Sequence, residues 1–196
     1  MRREIKILIE TSLIFNIGAG LFAPIYAIFV ENIGATIVDA GFAIGIYSIV
    51  FGLLIILLGK VEDKYTNKRH MVFIGYVILA LCALGYIFVQ NATQLFILQV
   101  FIGVGAAILT PSWDAIFSTY EDTGKEAFEW SIWEGGVSII LGITAFLGGI
   151  IVVVFGWTLI FIIMFIFELL GAISSFRLSF TSKKKRRPRF PRSLLR

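Results

Sequence analysis

Long apolar stretches, separated by short segments with charged and turn-forming residues, make up most of this chain. Each stretch has about 20 residues or slightly more, the length that a helix needs to cross the hydrocarbon core of a bilayer. The pattern therefore predicts an all-α membrane protein with six transmembrane helices, forming one domain over residues 1–178. The predicted spans cover residues 7–30, 38–58, 71–89, 95–113, 128–154 and 157–176.

The composition supports a membrane protein and argues against enzymatic chemistry. Hydrophobic residues make up 58% of the chain and charged residues 15%, with a mean hydropathy of +0.92, whereas soluble domains average about 25% charged residues. The only cysteine, Cys82, has no partner for a disulfide, and the only histidine, His70, lies in a basic loop. We therefore expect no metal site and no cofactor. We also expect no enzyme, because an intramembrane serine protease with six helices would need a glycine-flanked serine motif and a histidine within a span, and the chain has neither.

The basic residues predict how the helices are oriented. All seventeen Lys and Arg residues fall on one side of a six-helix arrangement, in the two termini and in the segments 59–70 and 115–127. Basic segments stay in the cytoplasm during membrane insertion. The chain is therefore predicted to be an integral, multi-pass protein of the plasma membrane with both termini cytoplasmic and the lipid bilayer as its surroundings.

The last residues differ sharply from the rest of the chain. Residues 177–196 contain nine basic residues and two prolines and almost nothing to bury. Such a composition is typical of disorder, so residues 179–196 are predicted to form a basic cytoplasmic tail. The tail either anchors the topology or is attracted to anionic lipid headgroups. Nucleic acid is not expected as a partner, because the tail is tethered to a membrane span.

Small residues recur at intervals of three or four residues in two of the spans. Small side chains let helix backbones approach closely, so these stripes predict a packed face. The stripes either pack the six helices together or form an interface with another set of helices. In the second span the stripe is Gly41, Gly45, Ser48 and Gly52, and in the fifth it is Gly135, Ser138, Gly142, Ala145 and Gly149.

Polar residues within the spans are candidates for function. Asn16 in the first span, and Gln99 and Thr110 in the fourth, lie on faces that could line a watery cavity or form buried hydrogen bonds. Carboxyl groups inside a membrane are costly and usually have a partner or a function. Glu168 lies near the middle of the last span with no Lys or Arg in any span, so we expect a protonated resting form suited to proton coupling. Glu134 is the second candidate.

The segment between the second and third spans carries a known signature. Its position and spacing resemble the signature loop of the major facilitator superfamily, in which the loop acts as a latch between inward-open and outward-open states. Thr66 stands in place of the second glycine and Asn67 in place of a basic residue. The residues that match the pattern, with the basic residue that follows them, are Gly59, Asp63, Lys64, Lys68 and Arg69.

Two further motifs extend the resemblance to the drug-efflux-like members of that superfamily. Residues 99–107 resemble the fourth-helix motif, with Gln99 in place of its arginine, and Gly142 to Gly149 followed by residues 155–157 resemble the fifth-helix glycine region and its outer turn. The resemblance covers residues 7–176 and ends where the superfamily begins a second set of six helices. It implies an N-terminal six-helix half, in which the second and fifth helices flank the interface between the halves.

The resemblance implies secondary active transport of a small molecule by alternating access, with a second half required. That half would be a second copy of the chain or a separately encoded one, and the substrate is unknown. The candidate substrate cavity is formed by Asn16, Gln99, Thr110 and Glu134. The alternative is a non-transporting membrane module, either truncated or dedicated to interactions. The two differ in whether mutation of Glu168 or Asp63 alters function or only stability.

Overall fold

The computed structural model describes residues 1–62 and 67–180, without the side chains of residues 60–62. Three short 3-10 turns, Ala23–Ile25, Tyr86–Phe88 and Arg177–Phe180, extend or interrupt the helices of this part of the chain. The helices are α1 (Arg3–Phe22), α2 (Tyr26–Asn32), α3 (Ile37–Glu62), α4 (Lys68–Gly85), α5 (Ala92–Tyr120), α6 (Glu126–Phe155) and α7 (Trp157–Phe176).

Six of the resulting segments are long and apolar enough to cross a membrane, which confirms the predicted count. α1 and α2 together form the first span, and Pro24 lies in the 3-10 turn that joins them. Several helices extend beyond the predicted apolar spans, because helical hydrogen bonding continues into the charged residues at their ends. Residues 179 and 180 of the predicted tail lie in the last 3-10 turn, and residues 181–196 lie outside the described part.

Local sequence signals explain where several helices begin and end. The Asn91 side chain accepts a hydrogen bond of 3.0 Å from the Gln94 backbone N–H, which caps the start of α5. Thr36 and Asp39 exchange hydrogen bonds in the same way at the start of α3. Gly156 separates α6 from α7 at φ +81°, a left-handed conformation that glycine adopts without strain.

The helices pack in a pattern that repeats after three spans. α1 packs on α6 and α7, and α5 packs in the same way on α3 and α4. The contact between α4 and α7 joins the two sets. The first three spans therefore have the same neighbour relations as the last three, an arrangement that the even helix count allows but does not reveal.

Closely approaching backbones hold this arrangement together. A methyl group added at Gly148 of α6 would lie 1.9 Å from the Leu21 carbonyl oxygen of α1. A methyl group added at Gly75 of α4 would lie 2.9 Å from the Leu109 backbone nitrogen of α5. Only glycine permits these distances. Close contacts between the helices are therefore made at glycines such as these two, and not at those of the predicted stripes.

α3 and α6 lie at the two edges of the bundle. In the most apolar 18-residue stretch of each span, 6% of residues are buried in α3 and 11% in α6, against 33% or more in the others. Most of the surface of both edge helices is therefore not covered by other described residues.

Polar contacts gather at one end of the bundle. The Met1 ammonium lies 2.8 Å from an Asp122 carboxylate oxygen, and Arg2 Nε donates to the other oxygen at 3.0 Å. The Met1 ammonium, assisted by Arg2, lowers the pKa of the Asp122 carboxyl below its usual value. Arg177 pairs with Glu10 near the same end. The start of α1, the α5–α6 connection and the end of α7 therefore lie together.

Candidate functional site

A cavity of about 490 Å³ lies among the helices. Its walls come from the first span, α3, α4, α5, α7 and the Tyr86–Phe88 turn, whereas α6 contributes no lining residue. The volume falls in the range of about 300–1,000 Å³ that is typical of pockets for small molecules. The lining residues are mostly apolar and aromatic, with Tyr26, Tyr47, Cys82, Tyr86, Gln99 and Glu168 as the polar exceptions.

Gln99 organises one wall of the cavity. Its Nε2 donates hydrogen bonds to the Tyr26 hydroxyl oxygen at 3.0 Å and to the Tyr86 hydroxyl oxygen at 3.1 Å. Gln99 belongs to α5, Tyr26 begins α2 and Tyr86 follows α4. One amide therefore ties three elements together and fixes the positions of two aromatic rings.

Glu168 forms the acidic part of the lining. It belongs to α7, its exposed fraction is 4%, and it lies beside Gly18 of α1, whose missing methyl group leaves room for it. Within the described residues its carboxyl group forms no hydrogen bond and no ion pair. The cavity therefore contains a buried carboxyl whose polar atoms have no protein partner in that part of the chain.

Of the predicted cavity residues only Gln99 lines the cavity, where it is joined by the proton-coupling candidate Glu168. The other predicted cavity residues lie elsewhere. Asn16 donates to the Ser12 carbonyl oxygen one helical turn away, at 2.7 Å, and Thr110 donates in the same way to Ala106, at 2.9 Å. Glu134 is exposed on α6. None of these three residues belongs to the cavity lining.

The signature loop is described only in part. Asp63 and Lys64 lie outside the described residues. A methyl group at Gly59 would contact no described atom within 4 Å. Arg69 is buried and its Nη2 donates to the Tyr120 hydroxyl oxygen at 2.8 Å, which joins the start of α4 to the end of α5. Lys68 begins α4.

The predicted small-residue stripes lie on the faces of α3 and α6 that point away from the other helices. A methyl group added at any of their glycines, on either edge helix, would meet no described atom within 4 Å. The two serines of the stripes are exposed, and Ala145 is partly exposed. The glycines concerned are Gly41, Gly45, Gly52, Gly135, Gly142 and Gly149.

Sequence reasoning missed four polar residues of the lining, Tyr26, Tyr47, Tyr86 and Cys82. Tyr26 follows Pro24, and a proline inside an apolar span is the signal that could have marked it. Nothing local distinguishes the other three residues, because their positions in the cavity depend on how α3, α4 and α5 pack.

Together the fold and the cavity define a class: a multi-pass membrane protein that surrounds a cavity sized for a small molecule. The family model of the Major Facilitator Superfamily matches residues 11–195. The chain belongs to that superfamily, which is a superfamily of transporters and not of enzymes. The assignment confirms the predicted six-helix fold and the integral location in the plasma membrane.

Similar proteins support this assignment. The chain is 24% identical over 176 residues to an uncharacterised MFS-type transporter of Methanocaldococcus jannaschii, a match covering 90% of this chain and 45% of the relative. It is 30% identical over 115 residues to a multi-drug resistance efflux pump homologue of Lactococcus lactis, covering 57% of the chain and 28% of the relative. An uncharacterised MFS-type transporter of Bacillus subtilis is 22% identical over 143 residues, a match covering 73% of this chain and 87% of the relative. The chain thus spans less than half the length of the first two relatives.

Proposed function

We propose that this chain is one half of a secondary active transporter that moves a small molecule across the membrane by alternating access. The observation that carries the proposal is the cavity of about 490 Å³, which has an apolar and aromatic wall and a buried carboxyl. Such a cavity fits a small molecule that must be bound away from water during transport.

A second six-helix half is proposed to dock on α3 and α6. The glycines of both edge helices have open space where a side chain would stand, and small residues of this kind allow close helix contact. Glu134 is exposed beside Gly135 on α6. A carboxyl group exposed to lipid within a membrane span is energetically costly. This face of α6 is therefore better suited to contact another protein than the lipid hydrocarbon.

Glu168 is proposed to couple transport to protons. A carboxyl without a protein partner changes its charge when a proton binds, and an energetic difference between two conformations can follow from that change. Glu134 remains the second candidate for proton coupling. It lies on the exposed face of α6 and does not line the cavity. The basic residues around the α3–α4 connection are proposed to act as the latch, with Arg69 holding α4 to α5.

The single cysteine of the chain allows a test that needs no known substrate. Cys82 lines the cavity, so a membrane-impermeant thiol reagent reports which side of the membrane reaches it. We expect labelling from either side of sealed vesicles, in a ratio that Glu168→Gln changes. Cys82→Ala gives the background.

The alternative, a non-transporting module, makes the opposite prediction. Cys82 would be labelled from one side only, and Glu168→Gln would alter stability without altering the ratio. The need for a second half is tested by light scattering of the solubilised complex. We expect a mass above that of one chain, and Gly45→Leu with Gly142→Leu should return the mass to one chain without loss of helix content. A wild-type chain that is monomeric and labelled from one side would contradict the proposal.

A further inference from the structure

One face of α1 carries two positive charges without a partner in the described part of the chain. Arg3 and Lys6 are exposed there, and neither forms a hydrogen bond or an ion pair with another described residue. Further along the same face, Glu10 pairs with Arg177 at the end of α7, which neutralises the Glu10 carboxylate. Glu4 is buried on another side of the helix. The surface formed by Arg3 and Lys6, which we name the basic face, therefore keeps its positive charge.

The basic face points away from the cavity. Helical periodicity places Lys6 about 180° from Phe15 around the axis of α1, and Phe15 lines the cavity. Ile17 lies within about 20° of Lys6 around the same axis and is half-buried. A ligand on this side of α1 therefore meets positive charge at the start of the helix and an apolar side chain deeper in the span, and it does not reach the cavity.

The helices α6 and α7 flank this side of α1. A methyl group added at Gly136 of α6 would lie 2.9 Å from the Leu13 side chain, and one added at Gly171 of α7 would lie 3.2 Å from the Thr11 carbonyl oxygen. Both helices pack mainly on α1 and only slightly on each other. The angle between α6 and α7 therefore forms a groove along α1, with Ile17 at its floor.

The basic face lies at the depth of the lipid headgroups. The first predicted apolar span begins at residue 7 and the last ends at residue 176, so Lys6 and Arg177 lie at the edge of the hydrocarbon. Arg3 lies about 5 Å further out along α1, within a headgroup region of about 5–8 Å in each leaflet. The positive charges predict that this end of the bundle is cytoplasmic, and the cytoplasmic leaflet contains anionic lipids that attract Lys and Arg.

We propose that the basic face binds one anionic phospholipid of the cytoplasmic leaflet, with its headgroup phosphate against Arg3 and Lys6 and an acyl chain along Ile17 between α6 and α7. Arg and Lys donate charge-assisted hydrogen bonds to phosphate, which are stronger than neutral ones. The exposed Leu170 of α7 lies on the same side of its helix as Arg177 and adds apolar surface. Such a lipid fixes the depth of α1 in the membrane. The proposal concerns the outer surface of the bundle and does not depend on transport.

Two phospholipids with the same acyl chains and different headgroups provide the test. Dioleoylphosphatidylglycerol has a negative charge and dioleoylphosphatidylcholine has no net charge. Native mass spectrometry of the full chain in detergent counts how many molecules of each lipid bind as that lipid is titrated. We expect the first phosphatidylglycerol to bind at least about tenfold more tightly than the first phosphatidylcholine, because each of the two basic residues strengthens the attraction to an anionic lipid about fivefold.

A matched pair of double variants locates the site. Arg3→Gln with Lys6→Gln removes both charges of the basic face, so phosphatidylglycerol should then bind no more tightly than phosphatidylcholine. Lys125→Gln with Lys183→Gln removes two charges elsewhere on the same predicted side and should keep the wild-type preference. Lys125 is exposed in the α5–α6 connection, and Lys183 belongs to the tail outside the described residues. Helix content and melting temperature confirm that both variants fold.

A soluble phosphate ester tests the source of the ligand. Glycerol 3-phosphate in excess should not displace bound phosphatidylglycerol, because it lacks the acyl chain that contacts the apolar part of α1. Displacement would show a site for soluble phosphate and would overturn the proposal. Equal affinity of the wild type for both lipids would also overturn it, as would a preference that survives in the Arg3 and Lys6 variant. An equal loss of preference in the control variant would show that net charge alone attracts the lipid.

Discussion

One amide group, that of Gln99, holds two tyrosine hydroxyls on the wall of the cavity. The chain has Gln99 where the superfamily motif has an arginine, so this position carries no charge. The amide instead provides two N–H groups in a fixed geometry, one for each tyrosine oxygen. The substitution thus converts a charged position into one that organises neutral polar groups.

Gln99→Leu removes both hydrogen bonds and leaves the buried Tyr86 hydroxyl without its donor. We expect a loss of stability of about 1–3 kcal/mol, the usual penalty for a buried polar group that loses its partner. Thermal unfolding in detergent, followed by circular dichroism, measures the change. Gln90→Leu makes the same chemical change at an exposed position and should unfold as the wild type does. Equal stability of both variants would show that the two hydrogen bonds contribute little.

Asp122 gives a prediction with a defined pH dependence. Because its folded pKa is lowered by Met1 and Arg2, the contact stabilises the fold above the unfolded pKa of about 3.9 and is lost as the pH falls through the folded value. Asp122→Asn should therefore unfold at a lower temperature than the wild type near pH 7. The difference should shrink as the pH falls below the unfolded pKa and approach zero once the pH lies below the folded pKa of Asp122.

The measurement for Asp122 is a series of melting curves of both proteins in the same detergent across that pH range. Other carboxyl groups titrate in both proteins, so only the difference between the curves reports on Asp122. A difference that is unchanged at the acidic end would mean that Asp122 stabilises the fold by something other than its charge.

At the scale of elements, neighbouring glycines of α6 have different roles. Gly148 lies against the α1 backbone, whereas Gly149 has open space around it. Helical periodicity places adjacent residues about 100° apart around the axis, so one faces the bundle and the other faces outward. The sequence shows two glycines in a row, and only the packing of α1 against α6 distinguishes them.

Gly148→Ala should separate α1 from α6 and lower stability by about 1–3 kcal/mol, the typical effect of overpacking. Gly149→Ala should leave stability unchanged or raise it by up to about 1 kcal/mol, because alanine favours the helix. Thermal unfolding of the two variants at equal protein and detergent concentration measures both effects. The packing of α1 on α6 would be contradicted if the two variants unfolded alike.

At the scale of the whole molecule, the polar contacts constrain which ends lie together. Contacts from Asp122 to Met1 and from Glu10 to Arg177 place the start and the end of the described bundle on one side. The positive charges predict that this side is the cytoplasm. The contacts show that the two ends lie on the same side of the bundle, and the positive charges predict which side of the membrane that is.

Fusions to the C-terminus test that direction in living cells. Green fluorescent protein should be fluorescent there and alkaline phosphatase inactive, because the first folds in the cytoplasm and the second requires an oxidising compartment. The same fusions placed at Gln90, in the α4–α5 connection, should give the reverse pattern. An active phosphatase at the C-terminus would contradict a cytoplasmic location of both ends.

The sequence by itself determined the number of spans, the class of fold and the family. The number of spans and the class of fold depend on hydrophobic length, since a bilayer requires about 20 apolar residues per helix whatever the neighbouring helices are. The family follows instead from the motifs in residues 59–69 and 99–107. Glu168 and the edge glycines were also visible as candidates, because an acidic residue or a regular stripe of glycines is unusual within an apolar span.

The tertiary structure alone decided which candidates belong to the cavity and which way the stripes face. Asn16 and Thr110 look as suitable as Gln99 in the sequence, but their side chains bond within their own helices, whereas Gln99 reaches two other elements. Cys82 joins the lining because α4 packs between α5 and α7. In an all-apolar helix every face has similar hydropathy, so the orientation of each face depends on contacts between segments far apart in the chain.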